Sequence, residues 1–167
     1  MKNQFVELSI PTPDGEFIVR YSEKGLAEMD FPNGRAELPL GLDARQRVPT
    51  AVSRWHRATE IALKNLLAGR GAKNLPPLDL SGGTEFQQAV WRELRKISPG
   101  KTRSYGEIAE AIGKPKAVRA VGGACGANPI PVLVPCHRVL AAHGKIGGFG
   151  GGLDWKRRLL AREGIGL

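Results

Sequence analysis

The stretch SYGEIAEAIGKPKAVRAVGGACGAN, residues 104–128, decides the local fold of the second half of the chain. Ser104 with Glu107 three residues later is a capping box, which is typical of a helix start, and Gly113 is a typical helix end. A second helical segment follows at once, and Pro115 suits the first turn of that helix. Two helices joined by so short a turn predict a helix-turn-helix, although any tight helical hairpin gives a similar pattern.

The second of these predicted helices is built from small residues. Between Ala117 and Ala127, Ala and Gly dominate, and Arg119 is the one long charged side chain. Such a helix suits close packing against another helix in a core. It equally suits a narrow groove such as the DNA minor groove, which is about 6 Å wide, with Arg119 reaching inward. The residues alone leave both interpretations open.

The segments around this hairpin predict a mostly helical second half. Residues 84–97 begin with a capping box, and residues 153–164 form a closing helix that ends at a glycine. The apolar residues 132–134 predict a short buried strand or extended segment. The glycines within residues 147–152 predict a loop that wraps a flat ligand.

The first half has a different pattern. Three alternating segments separated by Gly and Pro turns predict a small antiparallel sheet, at residues 4–10, 15–22 and 25–32. Residues 50–69 have helical spacing, and the polar residues 32–50 predict a loop. Residues 70–83 carry two prolines and three glycines, which is typical of a linker. We therefore predict two domains, residues 1–80 with the linker from about residue 70, and residues 81–167.

Positive charge is concentrated in the second half. Residues 1–81 hold 11 Lys and Arg against 10 Asp and Glu, whereas residues 82–167 hold 14 against 6, out of a net charge of +9 for the whole chain. This asymmetry favours a polyanionic partner, nucleic acid above all. The alternative is a basic surface without a partner.

The two cysteines, Cys125 and Cys136, are too few for a disulfide framework and are expected to be free thiols. No apolar run approaches the roughly 18 residues of a membrane span, and the N-terminal residues do not resemble a signal peptide. We expect a cytoplasmic protein that does not contact membranes.

Cys136 stands between a proline and His137, and a neighbouring base is what turns a thiol into a nucleophile. Glu163 is a candidate to orient the imidazole. The alternatives are a small buried hydrophobe, or a metal site made of Cys125, Cys136, His137 and His143, whose spacing matches no usual zinc pattern. Cys125, in the helix of small residues, is predicted to be structural.

Five motifs together resemble one family, and they are NPIPVLV (128–134), PCHRV (135–139), SYGEIA (104–109), RAVGGA (119–124) and GGLDWKRRLLAREG (151–164). They are similar to the O6-alkylguanine-DNA alkyltransferases, the methylated-DNA–protein-cysteine methyltransferases, over about residues 84–165. Before residue 80 only the layout is similar. The resemblance implies an α+β fold of two small domains, an N-terminal ribonuclease-H-like sheet-and-helix domain and a C-terminal, mostly helical, helix-turn-helix or winged-helix-like domain.

The resemblance implies direct DNA repair. Double-stranded DNA is bound through the minor groove and the alkylated nucleotide is flipped out. The alkyl group on O6 of guanine passes to a cysteine that is not regenerated, with O4 of thymine as a possible second substrate. It implies no cofactor and no metal. It also implies a monomer, with cooperative assembly on DNA as an alternative.

Residue roles follow from the same resemblance. Cys136 resembles the alkyl acceptor, His137 the base that acts through water, and Glu163 the acid that orients it. Asn128 resembles the residue that braces the turn, and Tyr105 the residue that protonates the departing guanine at N3. Arg119 resembles the side chain that replaces the flipped base. The other DNA contacts implied are Ser104, Tyr105, Lys116, Ala117, Ala120, Gly122 and Gly123. The substrate pocket implied consists of Pro131, Val139, Gly147, Phe149 and Gly150.

Two positions of the predicted pocket depart from the family pattern. Phe149 stands where a tyrosine is common and Gly150 where a serine occurs, so a hydroxyl contact to guanine is expected to be missing. The main rival function is a sensor that binds alkylated DNA without an acceptor thiol, and the presence of Cys136 argues against it. A helix-turn-helix regulator and a cysteine hydrolase explain the motifs less well.

Overall fold

Three antiparallel strands open the chain in the order β1 (Val6–Thr12), β2 (Gly15–Tyr21) and β3 (Leu26–Asp30). The computed structural model describes residues 5–32 and 47–167. All three predicted strands are confirmed. Strand β1 runs two residues past its predicted end because Pro11 and Thr12 continue the pairing opposite Glu16 and Gly15.

Helix α1 (Thr50–Leu67) packs on this sheet and confirms the predicted helix. Its inward face buries Val52, Leu63 and Leu66 at helical spacing. The loop predicted for residues 32–50 lies mostly outside the described residues.

The segment predicted to be a linker pairs with the sheet. Leu78 forms a parallel bridge with Leu26. The Leu26 amide donates to the Pro77 carbonyl at 2.8 Å, and the Asp79 amide donates to the Leu26 carbonyl at 2.7 Å. This part of the segment is therefore held against β3, and the boundary near residue 80 stays a prediction.

The second half supplies four helices, α2 (Glu85–Leu94), α3 (Tyr105–Ala111), α4 (Val118–Gly126) and α5 (Leu153–Arg162). A parallel pair joins β4 (Arg103–Ser104) to β5 (Val139–Leu140), and 3-10 turns span Cys136–Arg138 and Ala142–Gly144. The predicted α+β class and the mostly helical second half are confirmed. The ribonuclease-H-like and winged-helix-like descriptions stay predictions.

Both predicted capping boxes are present. The Gln87 amide donates to the Thr84 hydroxyl at 3.1 Å, and the Glu107 amide donates to the Ser104 hydroxyl at 3.0 Å.

The predicted position of Pro115 in the first turn of α4 is wrong, since that helix begins at Val118. The Ala117 amide instead donates to the Lys114 carbonyl at 2.9 Å. This bond closes a tight turn across Pro115 and its neighbour, and the turn separates α3 from α4.

The short strand or extended segment predicted at residues 132–134 is also wrong, although its burial is confirmed. The Val134 amide donates to the Ile130 carbonyl at 2.9 Å, which closes a tight turn. Val132 takes a φ of 73° there, an uncommon conformation for a β-branched residue. Apolar composition signalled a buried segment, but it does not distinguish a strand from a buried turn.

The two halves share one hydrophobic core and are joined at its edge. The Met29 amide at the end of the sheet donates to the Pro129 carbonyl at 2.9 Å. Asp14 accepts hydrogen bonds from Arg158 and Arg162 of α5 at 2.6 to 2.8 Å. Within residues 5–32 and 47–167, no helix combines the length and the apolarity that a bilayer crossing requires.

Candidate active site

The turn that precedes the cysteine is held by Asn128. The Asn128 side-chain amide donates to the Val134 carbonyl at 2.8 Å, and its oxygen accepts from the Ile130 amide at 3.0 Å. One side chain therefore bonds both sides of the buried turn. This contact also explains how Val132 is kept in its uncommon backbone conformation.

Cys136 begins the 3-10 turn that follows and is only 6% exposed. Burial raises the pKa of its thiol to about 11, although a hydrogen bond from Asn128 and the charge of Lys156 oppose the rise. The resting thiol therefore carries its proton at neutral pH, and a reaction at this sulfur needs a base.

The two residues after Cys136 share one carboxylate. Glu163 accepts from Nε2 of His137 at 3.0 Å and from Nη2 of Arg138 at 2.7 Å. Burial raises the pKa of Glu163, but the hydrogen bonds from His137 and Arg138 and the positive charge of Arg138 outweigh burial and hold it at about 2. The sequence candidate for orienting His137 is thus in contact with it.

The other ring nitrogen of His137, Nδ1, is not hydrogen-bonded to any described residue. Burial lowers the pKa of His137, with Glu163 opposing the shift, so the ring is neutral at neutral pH. Because Nε2 donates its proton to Glu163, Nδ1 is the lone-pair nitrogen. Among the described residues, Nδ1 is a buried polar atom with no hydrogen-bond partner. It is therefore free to accept a proton, directly or through water.

Lys156 is a residue of the site that the sequence analysis missed. It is fully buried, and its ammonium donates to the carbonyls of Val139 at 2.7 Å and Gly148 at 3.2 Å. Burial lowers its pKa, while the neighbouring thiols Cys136 and Cys125 raise it. The sequence could have indicated its burial. Lys156 precedes Leu159 by three residues and Leu160 by four, so it falls on the apolar face of α5.

Tyr105 lies at the start of α3, half-buried beside the glycine loop. Burial raises its pKa, the thiols of Cys125 and Cys136 raise it further, and a hydrogen bond with the Gly148 backbone lowers it. A Cβ added at Gly147 would lie 3.0 Å from the Tyr105 hydroxyl. The glycine therefore lets the loop approach the tyrosine closely.

The glycines of α4 are not required by internal packing. Lys116, Arg119, Ala120 and Gly123 are exposed, and Ala117 and Gly122 are partly buried. A Cβ added at Gly122, Gly123 or Gly126 would meet no atom within 4 Å. Of the two interpretations left open by the sequence, tight helix–helix packing therefore fails to explain these glycines.

A cavity of about 360 Å³ lies beside the thiol. Of the predicted pocket residues, Pro131, Phe149 and Gly150 line it together with Cys136 and Asn128. Two others do not line it. The Val139 carbonyl is bonded to Lys156, and Gly147 contacts Tyr105 instead.

The cavity also has lining residues that sequence analysis did not anticipate. They include Cys125 of α4 and a run from the end of β3, Glu28, Met29, Asp30 and Phe31. Within the described parts of the chain, no three His, Cys, Asp or Glu side chains converge as metal ligands.

The site combines a buried cysteine with a histidine and a glutamate that share a hydrogen bond. It lies in an α+β protein, next to a helical hairpin with exposed glycines. Comparison with known proteins gives this class a family. The model of the 6-O-methylguanine DNA methyltransferase DNA-binding domain matches residues 85–165. A methylated-DNA–protein-cysteine methyltransferase of Haemophilus influenzae is 38% identical over 93% of this chain and 84% of its own.

Mycobacterial proteins of the same family are also similar to this chain. A methylated-DNA–protein-cysteine methyltransferase of Mycolicibacterium paratuberculosis is 64% identical over 86 residues, which is 52% of each chain. The crystal structure of Mycobacterium tuberculosis OGT in complex with DNA is similar at a TM-score of 0.68 and 38% identity, over 93% of this chain and 90% of that one. The chain belongs to the methylated-DNA–protein-cysteine methyltransferase family.

Proposed function

We propose that this protein repairs alkylated DNA by moving an alkyl group from O6 of guanine to Sγ of Cys136. The observation that carries the proposal is the buried Cys136 beside the hydrogen-bonded pair of His137 and Glu163. This pair lies within the half that matches the DNA-binding domain.

The reaction forms a sulfur–carbon bond and breaks the bond between guanine O6 and the alkyl carbon. The thiol proton leaves through a water molecule to Nδ1 of His137, which has a free lone pair because Glu163 holds the proton on Nε2. The hydroxyl of Tyr105 supplies a proton to N3 of the departing guanine. Asn128 keeps Cys136 in place by bonding the turn before it.

The product is a thioether, which is chemically stable, so each molecule reacts once. No cofactor takes part, because the displacement uses only the thiol and the substrate. The same displacement applies to O4 of alkylated thymine, where the alkyl carbon is again bonded to an exocyclic oxygen of the base.

The DNA is bound through the minor groove by α4. The glycines of this helix have open space around them, which suits close approach to an external surface. A stacked base is out of reach of a buried thiol, so the nucleotide is flipped out and Arg119, exposed on α4, fills its place. Basic residues of the second half contact phosphates without sequence preference.

The protein acts as a monomer, with a ribonuclease-H-like domain up to about residue 80 and a helix-turn-helix or winged-helix-like domain after it. Phe149 and Gly150 replace hydroxyl-bearing residues in the pocket. Guanine is therefore recognised there by backbone groups and apolar contact.

The test is a mass measurement. The protein is mixed with a duplex that carries one O6-methylguanine, the intact mass is recorded, and the modified residue is mapped. We expect one methyl group on Cys136 and no second equivalent. Cys136→Ala abolishes the mass change, whereas Cys125→Ala, which removes the other thiol of the same cavity, retains it. Tight binding to the lesion with no mass change would instead identify a damage sensor.

A further inference from the structure

Part of the cavity lining comes from the first half of the chain. Met29, Asp30 and Phe31 line the same cavity as Cys136, although they lie more than 100 positions earlier in the sequence. The proposed reaction assigns no role to them. We infer that Phe31 is a specificity-determining residue that limits the size of the alkyl group accepted beside Cys136. This inference rests on the proposed function.

Phe31 belongs to an aromatic cluster that includes a predicted substrate-pocket residue. Its ring centroid is 5.7 Å from that of Phe149, with the rings at 71°, and 4.9 Å from that of Trp155. Phe17 lies behind it at 5.5 Å. Aromatic pairs at these separations and angles are mutually stabilising, so the two phenylalanines act as one wall.

The glycine loop is shaped around the Phe31 ring. A Cβ added at Gly151 would lie 2.6 Å from a carbon of that ring. The ring therefore lies directly against the loop backbone, next to Gly150. A larger ring at position 31 would push into the cavity or displace the loop, and a smaller one would leave space there.

The backbone at Phe31 is held in place relative to the thiol. The Met29 amide donates to the Pro129 carbonyl at 2.9 Å, and Pro129 follows the Asn128 that braces the turn before Cys136. Arg20 ion-pairs with Glu28 at 3.0 Å and Asp30 at 2.9 Å, which anchors the end of β3. The distance from the Phe31 wall to the acceptor sulfur is therefore set by backbone contacts.

A methyl group needs little room beyond the sulfur, whereas a benzyl group must place a ring inside the cavity. With the Phe31 side chain as a wall, the cavity admits a methyl group and restricts a benzyl group. Removing the Phe31 ring enlarges the cavity at this wall, because packed interiors relax only partly around a lost side chain. The effect is selective for group size, since the Phe31 side chain has no group that could donate or accept a proton in the reaction.

The experiment compares two duplexes of identical sequence, one with O6-methylguanine and one with O6-benzylguanine. Single-turnover rates of transfer to Cys136 are measured for each protein by intact mass. For Phe31→Ala we expect the ratio of the benzyl rate to the methyl rate to rise at least threefold over wild type. For Phe31→Trp we expect it to fall at least threefold. Phe5→Ala, at an exposed aromatic residue of the same half, leaves the ratio unchanged.

Phe31→Leu retains apolar packing and provides the same comparison if the alanine variant does not fold. An unchanged ratio, or a fall in the alanine and leucine variants, overturns the role of Phe31 while the proposed function stands. Wild-type protein that transfers neither group overturns the proposed function and this inference with it. Methyl titration of each variant gives its active fraction, so loss of folded protein does not alter the ratio.

Discussion

At the scale of single residues, one buried carboxylate, that of Glu163, holds both residues that follow Cys136. The Glu163 side chain is 2% exposed and the Arg138 side chain 4%. A buried charge pair of this kind contributes little net stability when intact, but losing one member costs about 3–5 kcal/mol. The carboxylate therefore links folding to the position of His137.

The pH dependence of stability follows from the low pKa of Glu163. That pKa is lowered from 4.5 to about 2 in the folded protein, so folding favours the charged form. The contribution is fully present above pH 4.5 and is lost as the pH falls toward 2, with a size of roughly 3 kcal/mol. Urea unfolding at a series of pH values measures it. Glu163→Gln is expected to be less stable than wild type at neutral pH and to lose little further stability between pH 4.5 and pH 2. An equal loss of unfolding free energy in both proteins over that pH range would contradict the assignment.

The charge of Lys156 affects the pKa of the Cys136 thiol. Its positive charge lowers the pKa of Cys136, opposing burial. Lys156→Met is therefore expected to raise the pKa of the thiol and move the pH profile of alkyl transfer toward higher pH. Single-turnover rates between pH 6 and 10 measure the shift. Lys145→Met, at an exposed lysine of the adjoining loop, serves as the control and should leave the profile in place.

At the scale of elements, the exposed face of α4 can be changed without disturbing the fold, so its role in DNA binding can be tested by itself. Gly123 is exposed and an added Cβ has open space, so side chains there do not disturb the fold. Leucine and alanine are better helix formers than glycine by roughly 1 kcal/mol, and we expect Gly123→Ala and Gly123→Leu to melt no lower than wild type. Only leucine is bulky enough to obstruct a narrow groove. We therefore expect the DNA dissociation constant to rise at least tenfold for Gly123→Leu and to stay unchanged for Gly123→Ala. Equal DNA affinity for both variants would argue against α4 as the groove-binding element.

Elements differ in how well the sequence predicts them. The capping boxes at Thr84 and Ser104 were predicted and are present, because each is made by residues three positions apart. Residues 132–134 are predicted as a short strand or extended segment but belong to the turn at residues 130–134. Its conformation depends on Asn128, whose side chain bonds both sides of the turn, and apolar composition carries no information about that contact.

At the scale of the whole molecule, Asp14 joins the first hairpin to α5. Its carboxylate accepts from Arg158 and Arg162, and Arg162 also donates to the Leu67 carbonyl at 3.0 Å. Hydrogen bonds from Arg162 lower the pKa of Asp14 despite some burial. The arginines are partly exposed, so Asp14→Asn is expected to cost only about 1–2 kcal/mol in the free energy of unfolding.

Thermal and urea unfolding measure the effect of Asp14→Asn, with Glu16→Gln, at an exposed carboxylate on the neighbouring strand, as the control. The difference between Asp14→Asn and wild type should shrink at high salt, because the ion pairs are partly exposed. Equal stability of the two variants would show that the contact between the hairpin and α5 adds nothing.

The sequence by itself determined the family, the acceptor candidate Cys136 with His137, the α+β class and most helix boundaries. These depend on residue types in fixed order and on contacts within a few positions. Only the tertiary structure decided that Lys156 is buried beside the thiols, that residues 130–134 form a turn and that Phe31 lines the cavity. The physical reason is that each of these depends on which distant surfaces pack together, and local pattern does not encode that choice.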